Sequence, residues 1–260
     1  MKEKTVLLPE QRELIALAQR LELDGVVDEL YEQFGSPEMY TDMTFEDKLK
    51  RCLESHEEHV AHKRFNKLFR NSRVRKRIYL KQFAPDPSRG FESTMLLKLK
   101  DCDYINKGIN IVISGASGTG KTALACAAAV EAMSKGYSVM FYRFNDFMTM
   151  VNSKDGPSFI RFRDRVKNIN LIVFDDWGLS KIPDNIVCAL NEIAECRYGI
   201  GSTIITSQLG KNSLKKVIDP SPIRDALADR LMRDSDMEIT LKGASWRGTS
   251  EEIKGEQNDY

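Results

Sequence analysis

Residues Gly115 to Thr122 read GASGTGKT, preceded by the apolar run Ile111, Val112, Ile113 and followed by the alanine-rich stretch Ala123 to Val130. A strand, a glycine-rich turn and a helix are the parts of a phosphate-binding loop. Gly115, Gly118 and Gly120 permit backbone turns that side-chain-bearing residues resist, so the N–H groups of Gly115, Ala116, Ser117, Gly118, Thr119 and Gly120 can converge on an anion. Lys121 is expected to reach the β and γ phosphates of a nucleoside triphosphate and Thr122 to place its hydroxyl on Mg²⁺. The helix through Ala123 aims its positive end at the same charge.

About fifty residues on, Leu171 to Phe174 form a buried-strand run ending in Asp175 and Asp176. Two carboxylates at a strand tip are costly to keep together, and beside a phosphate-binding loop they have work to do. Asp175 is expected to organise Mg²⁺ with Thr122, and Asp176 to activate the attacking water. A later β-branched run, STIITSQL from Ser202 to Leu209, reads as the next parallel strand. Ser207 at its tip, with Thr206 and Gln208 beside it, is the expected γ-phosphate sensor.

The remaining chain fits an α/β protein. The first eighty or so residues carry helical spacing: Leu14, Leu17, Ala18, Leu21; Val26, Leu30, Phe34; Phe45, Leu49, Leu53. Gly35 to Pro37 breaks the series, Thr44 with Asp47 reads as a capping box, and a long helix is expected through the basic segment that follows. Pro85, Pro87 and Gly90 mark a linker. From Gly108 onward strands are expected near 109–114, 138–142, 170–175, 203–206 and 237–241, alternating with helices as in a parallel sheet covered on both faces. The expected division is a helical domain over 1–85, a nucleotide domain over 86–248 and a disordered polar tail over 249–260.

Charge is segregated although the 260-residue chain carries a net charge of only +1. Met1 to His62 holds 7 basic and 15 acidic residues, whereas Lys63 to Lys81 holds 9 basic residues and no acidic one. Arg64, Lys67, Arg70, Arg73, Arg75, Lys76 and Arg77 of that segment suit a nucleic-acid backbone, bound with steep salt dependence and little regard for sequence. All three histidines lie in HEEHVAH, at 56, 59 and 62, a spacing that drifts by about 60° per step on a helix and matches no zinc motif. Five scattered cysteines without a CxxC pair argue against a disulfide framework or zinc ribbon. No stretch approaches the roughly 18 apolar residues of a membrane span, and MKEKTVLLPEQRE lacks the apolar core of a secretory signal, so a cytoplasmic location is expected.

Taken together, the helical N-terminal part, GASGTGKT, LIVFDDWG, STIITSQL and PIRDALADRL at Pro222 to Leu231 resemble the IstB-type transposition helper ATPases of the AAA+ superfamily, relatives of the DnaC-type helicase loaders. The resemblance spans most of residues 10 to 248. It implies an AAA+ P-loop three-layer parallel sheet with a small all-helical N-terminal domain. It further implies a Mg²⁺-dependent ATP hydrolase that oligomerises on duplex target DNA and recruits a DDE-type transposase. Arg230 is then the arginine supplied to the ATP of the next subunit, with Arg224 a second candidate, and Arg247 a further phosphate-sensing arginine. DNA contacts on helices after the second strand are implied at Lys154, Arg161, Arg163, Arg165 and Lys167. The competing readings are a replicative helicase loader, a small-molecule P-loop kinase and a module that binds ATP without hydrolysing it.

Overall fold

The computed structural model describes residues 7–233 and 236–243. Packing divides the chain into two compact units, Met1–Lys67 and Leu68–Tyr260. The division falls at 67/68, inside a helix, and not at the 85/86 linker expected from the prolines.

The first unit holds α1 (Pro9–Arg20), α2 (Asp24–Gly35) and the start of α3 (Phe45–Ser72). The expected break after Gly35 is present, followed by a 3-10 turn at Pro37–Tyr40. The capping box holds: Thr44 N–H donates to Asp47 Oδ2 at 3.3 Å and Asp47 N–H to Thr44 Oγ1 at 3.2 Å. Ile15, Ala18, Val27, Leu30 and Cys52 form the core. The other face of the expected periodicity is outward: Leu14, Leu17, Leu21, Phe45, Leu49 and Leu53 are exposed. Gly25 lets α2 approach α3, since a Cβ there would run into the carbonyl oxygen of Ser55.

The helix through the basic segment is α3 itself and it stops at Ser72, short of Lys81. Arg73 turns the chain with a left-handed φ of 65°, and the Ser72 hydroxyl secures the turn by donating to Phe69 O at 2.8 Å and accepting from Val74 N–H at 3.1 Å. The proline-rich stretch is a docked turn: Asp86 Oδ1 accepts from Ser88 N–H at 3.0 Å and Arg89 O accepts from Lys242 N–H at 2.9 Å. Residues 68–85 are held to the second unit by contacts of their own, among them Arg75 with Asp146 at 3.3 Å and Arg73 over the Tyr142 ring.

In that unit α4 (Ser93–Asp101) and α5 (Asp103–Asn106) lead into the sheet. Its five strands are β1 (Ile111–Gly115), β2 (Val139–Arg143), β3 (Leu171–Trp177), β4 (Ser202–Ser207) and β5 (Met237–Leu241), all parallel in the order β2-β3-β4-β1-β5. All five expected strands are present, each within a few residues of its expected bounds. Between them run α6 (Lys121–Ser134), α7 (Phe144–Asn152), α8 (Gly156–Lys167), α9 (Asp184–Arg197) and α10 (Pro222–Leu231). Successive strand residues face opposite ways. Val112, Ile172, Phe174 and Ile205 enter a core with Phe147, Phe162, Ile186 and Leu227 from α7 to α10, while α6, nearly all buried, packs against β1, β2, β3 and β4. β4 lies between β1 and β3, so the loop after β1, the acids of β3 and the tip of β4 share one crevice at the carboxyl edge.

Candidate nucleotide site

The loop 115–120 closes around a single carbonyl. Ala116 O accepts from Thr119 Oγ1 at 3.0 Å and from Lys121 Nζ at 2.8 Å. Gly115 has a φ of 147° and a Cβ there would collide with Leu241 O of the neighbouring strand, so this position must be glycine. Gly120 adopts φ 97° with open space around it, a conformational requirement and not a packing one. α6 begins at Lys121, with its first N–H groups directed at the loop. Ala116 and Ser117 are exposed and Thr119 is buried.

Asp175, only 3 % exposed, receives two hydroxyl donors on the same oxygen: Thr122 Oγ1 at 2.9 Å and Thr206 Oγ1 at 2.6 Å from Oδ1. Burial pushes its carboxyl up from the ordinary range; the Thr206 and Thr122 hydrogen bonds oppose that, and the neighbouring Asp176 charge adds to it. The structure therefore joins the loop threonine to the first strand acid, as the motif order suggested.

Asp176 adopts a left-handed φ of 62° where the β3–β4 pairing slips between Phe174 and Trp177. Its N–H donates to Thr206 Oγ1 at 2.9 Å, and its carboxylate lies 3.6 Å from Arg143 Nη2 at the tip of β2. Thr206 thus accepts from one acid's backbone and donates to the other's side chain. Ser207, the expected sensor, points elsewhere: its hydroxyl donates to Trp177 O at 2.7 Å and accepts from Leu209 N–H at 3.0 Å. Adjacent residues of a strand face opposite ways, and the slipped register turns Thr206 to the acids.

Sequence reasoning missed Arg143, which the β2–β3 register sets opposite Asp175. The available signal was its position as the last residue of the VMFYR strand.

These features bring a phosphate-binding loop and the acids of β3 together at one sheet edge. Residues 16–252 match the family described as IstB-like ATP binding protein. The chain belongs to that family. Two Sinorhizobium fredii relatives, each named for an insertion sequence and for ATP binding, are similar to it. One is 34% identical over 61% of this chain and 65% of its own, the other 27% identical over 89% and 93%. The chain thus spans just under two thirds of the first relative. AMPPCP-bound DnaA from Aquifex aeolicus is similar in fold, with a TM-score of 0.54 at 23% identity over 66% of this chain and 52% of that one. The IstB-like chain shares with that structure an α/β fold built on a parallel sheet.

Its Arg230 lies at the other end of the sheet. Asn110, just before β1, donates from Nδ2 to Arg230 O at 2.9 Å and accepts from Thr203 N–H at the start of β4. The Arg230 guanidinium bonds Ala226 O at 3.0 Å and Asn191 Oδ1 at 3.3 Å, and not Asp225 or Asp229. Arg224 instead pairs with Asp225 at 2.9 Å. Arg247 and the tail 249–260 lie outside the described residues.

The basic candidates divide between the units. Arg64 and Lys67 belong to the first; Arg70, Arg73, Arg75, Lys76 and Arg77 belong to the second, and all seven are exposed. Arg163 pairs with Asp164 and Glu192 at 3.2 and 3.3 Å, and Arg75 with Asp146 at 3.3 Å. Arg161 and Lys167 are exposed on α8. Of the histidines, His59 faces Asp24 at 3.4 Å and His62 faces Asn66 at 3.2 Å. Among the described residues no helix is long and apolar enough to cross a membrane.

Proposed function

We propose that this IstB-like chain hydrolyses ATP with Mg²⁺ in an oligomer assembled on duplex DNA, and that hydrolysis controls recruitment of a DDE-type transposase. The observation that carries the reading is the meeting of Thr122, Asp175 and Thr206 beside the loop, in a chain whose named relatives belong to insertion sequences. A hydroxyl and a carboxylate 2.9 Å apart are a donor set suited to a hard divalent cation. When bound, Mg²⁺ supplies charge neutralisation to the phosphate oxygens.

The chain's own groups do the rest. The loop N–H groups and Lys121 hold the phosphates, which requires Lys121 to exchange the Ala116 carbonyl for phosphate oxygen. Asp176 orients the attacking water and takes its proton, while Arg143 beside it aims the carboxylate. Thr206 fixes the separation of the two acids through its paired hydrogen bonds. Arg230, too far along the sheet to serve its own site, stabilises the transition state in a neighbouring subunit. The basic surface supplies the affinity for DNA.

The test is ATP turnover with and without duplex DNA while particle mass is followed, on the parent and on Arg230→Ala. DNA-stimulated turnover in a large complex, lost in the variant, is the expected result. DNA-independent turnover by a monomer would overturn the reading in favour of a small-molecule kinase.

A further inference from the structure

The Arg230 guanidinium is held down on its own chain. It sits in the last turn of α10, and its Nη1 donates twice, to Ala226 O at 3.0 Å and to Asn191 Oδ1 on α9 at 3.3 Å. Nη2 lies 3.9 Å from Glu195 Oε1, also on α9. Asn191 and Glu195 stand one turn apart on the same face of α9, so the two hold neighbouring nitrogens of one guanidinium. The arginine side chain is 24 % exposed, against 64 % for Glu195 beside it.

A guanidinium meets a phosphate best with parallel N–H donors from one edge of its planar fork. Here Nη1 is bonded to two carbonyl oxygens and Nη2 faces a carboxylate, so the edge that would make the fork is engaged. Reaching a phosphate on another chain requires Arg230 to leave α9. The helix is not free to follow it. Ile186, Leu190 and Ile193 fix α9 in the core, and the buried Arg197 pins its end by donating to Val166 O at 2.9 Å and Ser202 O at 3.0 Å. The movement therefore belongs to the arginine side chain. A neutral hydrogen bond and an exposed, screened ion pair are both weak, so together they set an equilibrium between retained and released arginine.

We propose that Asn191 and Glu195 are positioning residues that retain Arg230 against α9 and so hold back hydrolysis in the neighbouring subunit until its phosphates outcompete them. The inference rests on the reading of Arg230 as an arginine supplied in trans, and adds the pair that governs its release. Because only the released arginine contributes, turnover scales with the released fraction.

The experiment reads this effect between full-length subunits. Asp176→Asn subunits, which lack the base and keep Arg230, are mixed at equal concentration with Arg230→Ala subunits, which keep the base, in the presence of ATP and duplex DNA. Every complete site then draws its arginine from an Asp176→Asn subunit. Adding N191A/E195Q to that subunit weakens retention and is expected to raise the turnover of the mixture about 3- to 10-fold. Adding N191D instead keeps the size and the acceptor oxygen but gains a charge, and is expected to lower turnover by about the same factor. Both effects should vanish when the changes are placed on the Arg230→Ala subunit, which has no arginine to retain. Parent-like nucleotide affinity reports that each variant is folded. Unchanged or reduced turnover with N191A/E195Q, a rise with N191D, or equal effects from either subunit overturns the retention while the shared site stands. No recovered turnover in the mixture of the two starting variants overturns the reading beneath it.

Discussion

Asp175 shows how a single residue trades stability for chemistry. Its carboxyl is raised above the ordinary range chiefly by burial, against the help of two hydroxyls. Below the usual carboxylate range both folded and unfolded chains hold this proton, and the residue costs nothing. Between that range and its raised folded value the folded chain holds the proton and the unfolded chain does not, so stability falls as pH rises through this window. Above it the full cost of the buried charge is present. Asp175→Asn is therefore expected to denature later than the parent at neutral pH in the absence of nucleotide, with the difference shrinking towards about pH 4. ATP turnover should fall by at least about 100-fold. Paired denaturation curves at the two pH values check this, and a variant less stable than the parent at neutral pH contradicts it. At this scale much was legible in the sequence: the phosphate loop and Asp175 declare themselves because the chemistry demands those side chains at those places. Arg143 did not, because its partner Asp176 is set by strand pairing, which no local pattern encodes.

At the tip of β4 the element decides which residue serves the site. Thr206 and Ser207 are both small, hydroxylic and buried, and composition alone cannot rank them. What separates them is the slip in the β3–β4 register and the left-handed turn at Asp176, which bring Asp176 N–H and Asp175 Oδ1 to the same threonine oxygen. Thr206→Val keeps the shape and removes the hydroxyl, and its turnover is expected to drop roughly 10- to 100-fold with nucleotide still bound. Ser207→Ala removes two hydrogen bonds within the strand end; it is expected to cost about 1 kcal/mol of stability and to keep turnover within about threefold. Steady-state kinetics with nucleotide titration on both variants decides the matter, and the reverse ranking contradicts the assignment. The strands themselves were legible, since β-branched runs alternate with helical spacing. The end of α3 was not, because Arg73 carries no glycine or proline signal and turns the chain through a serine cap.

For the whole molecule, the sheet order β2-β3-β4-β1-β5 puts the acids and loop at one edge and Arg230 at the other. A strand of the length of β1 spans about 16 Å, well beyond what one arginine side chain crosses. Neither this order nor the division at 67/68 could be read from the chain, because both depend on contacts between distant segments. On the proposed reading, in which Arg230 serves a neighbouring subunit, the active site is shared between subunits, and that is the claim to test. The most direct measurement mixes two inactive variants. Asp176→Asn retains its arginine and its nucleotide contacts but not the base; Arg230→Ala retains the base but not the arginine. Each alone is expected to be nearly inactive. At equal concentrations with ATP and duplex DNA, random assembly makes about a quarter of the subunit interfaces complete, each pairing an intact base with an intact arginine. Recovery of ATP turnover towards that fraction is the predicted result. A mixture no more active than its components, with both variants shown to co-assemble, would contradict the account.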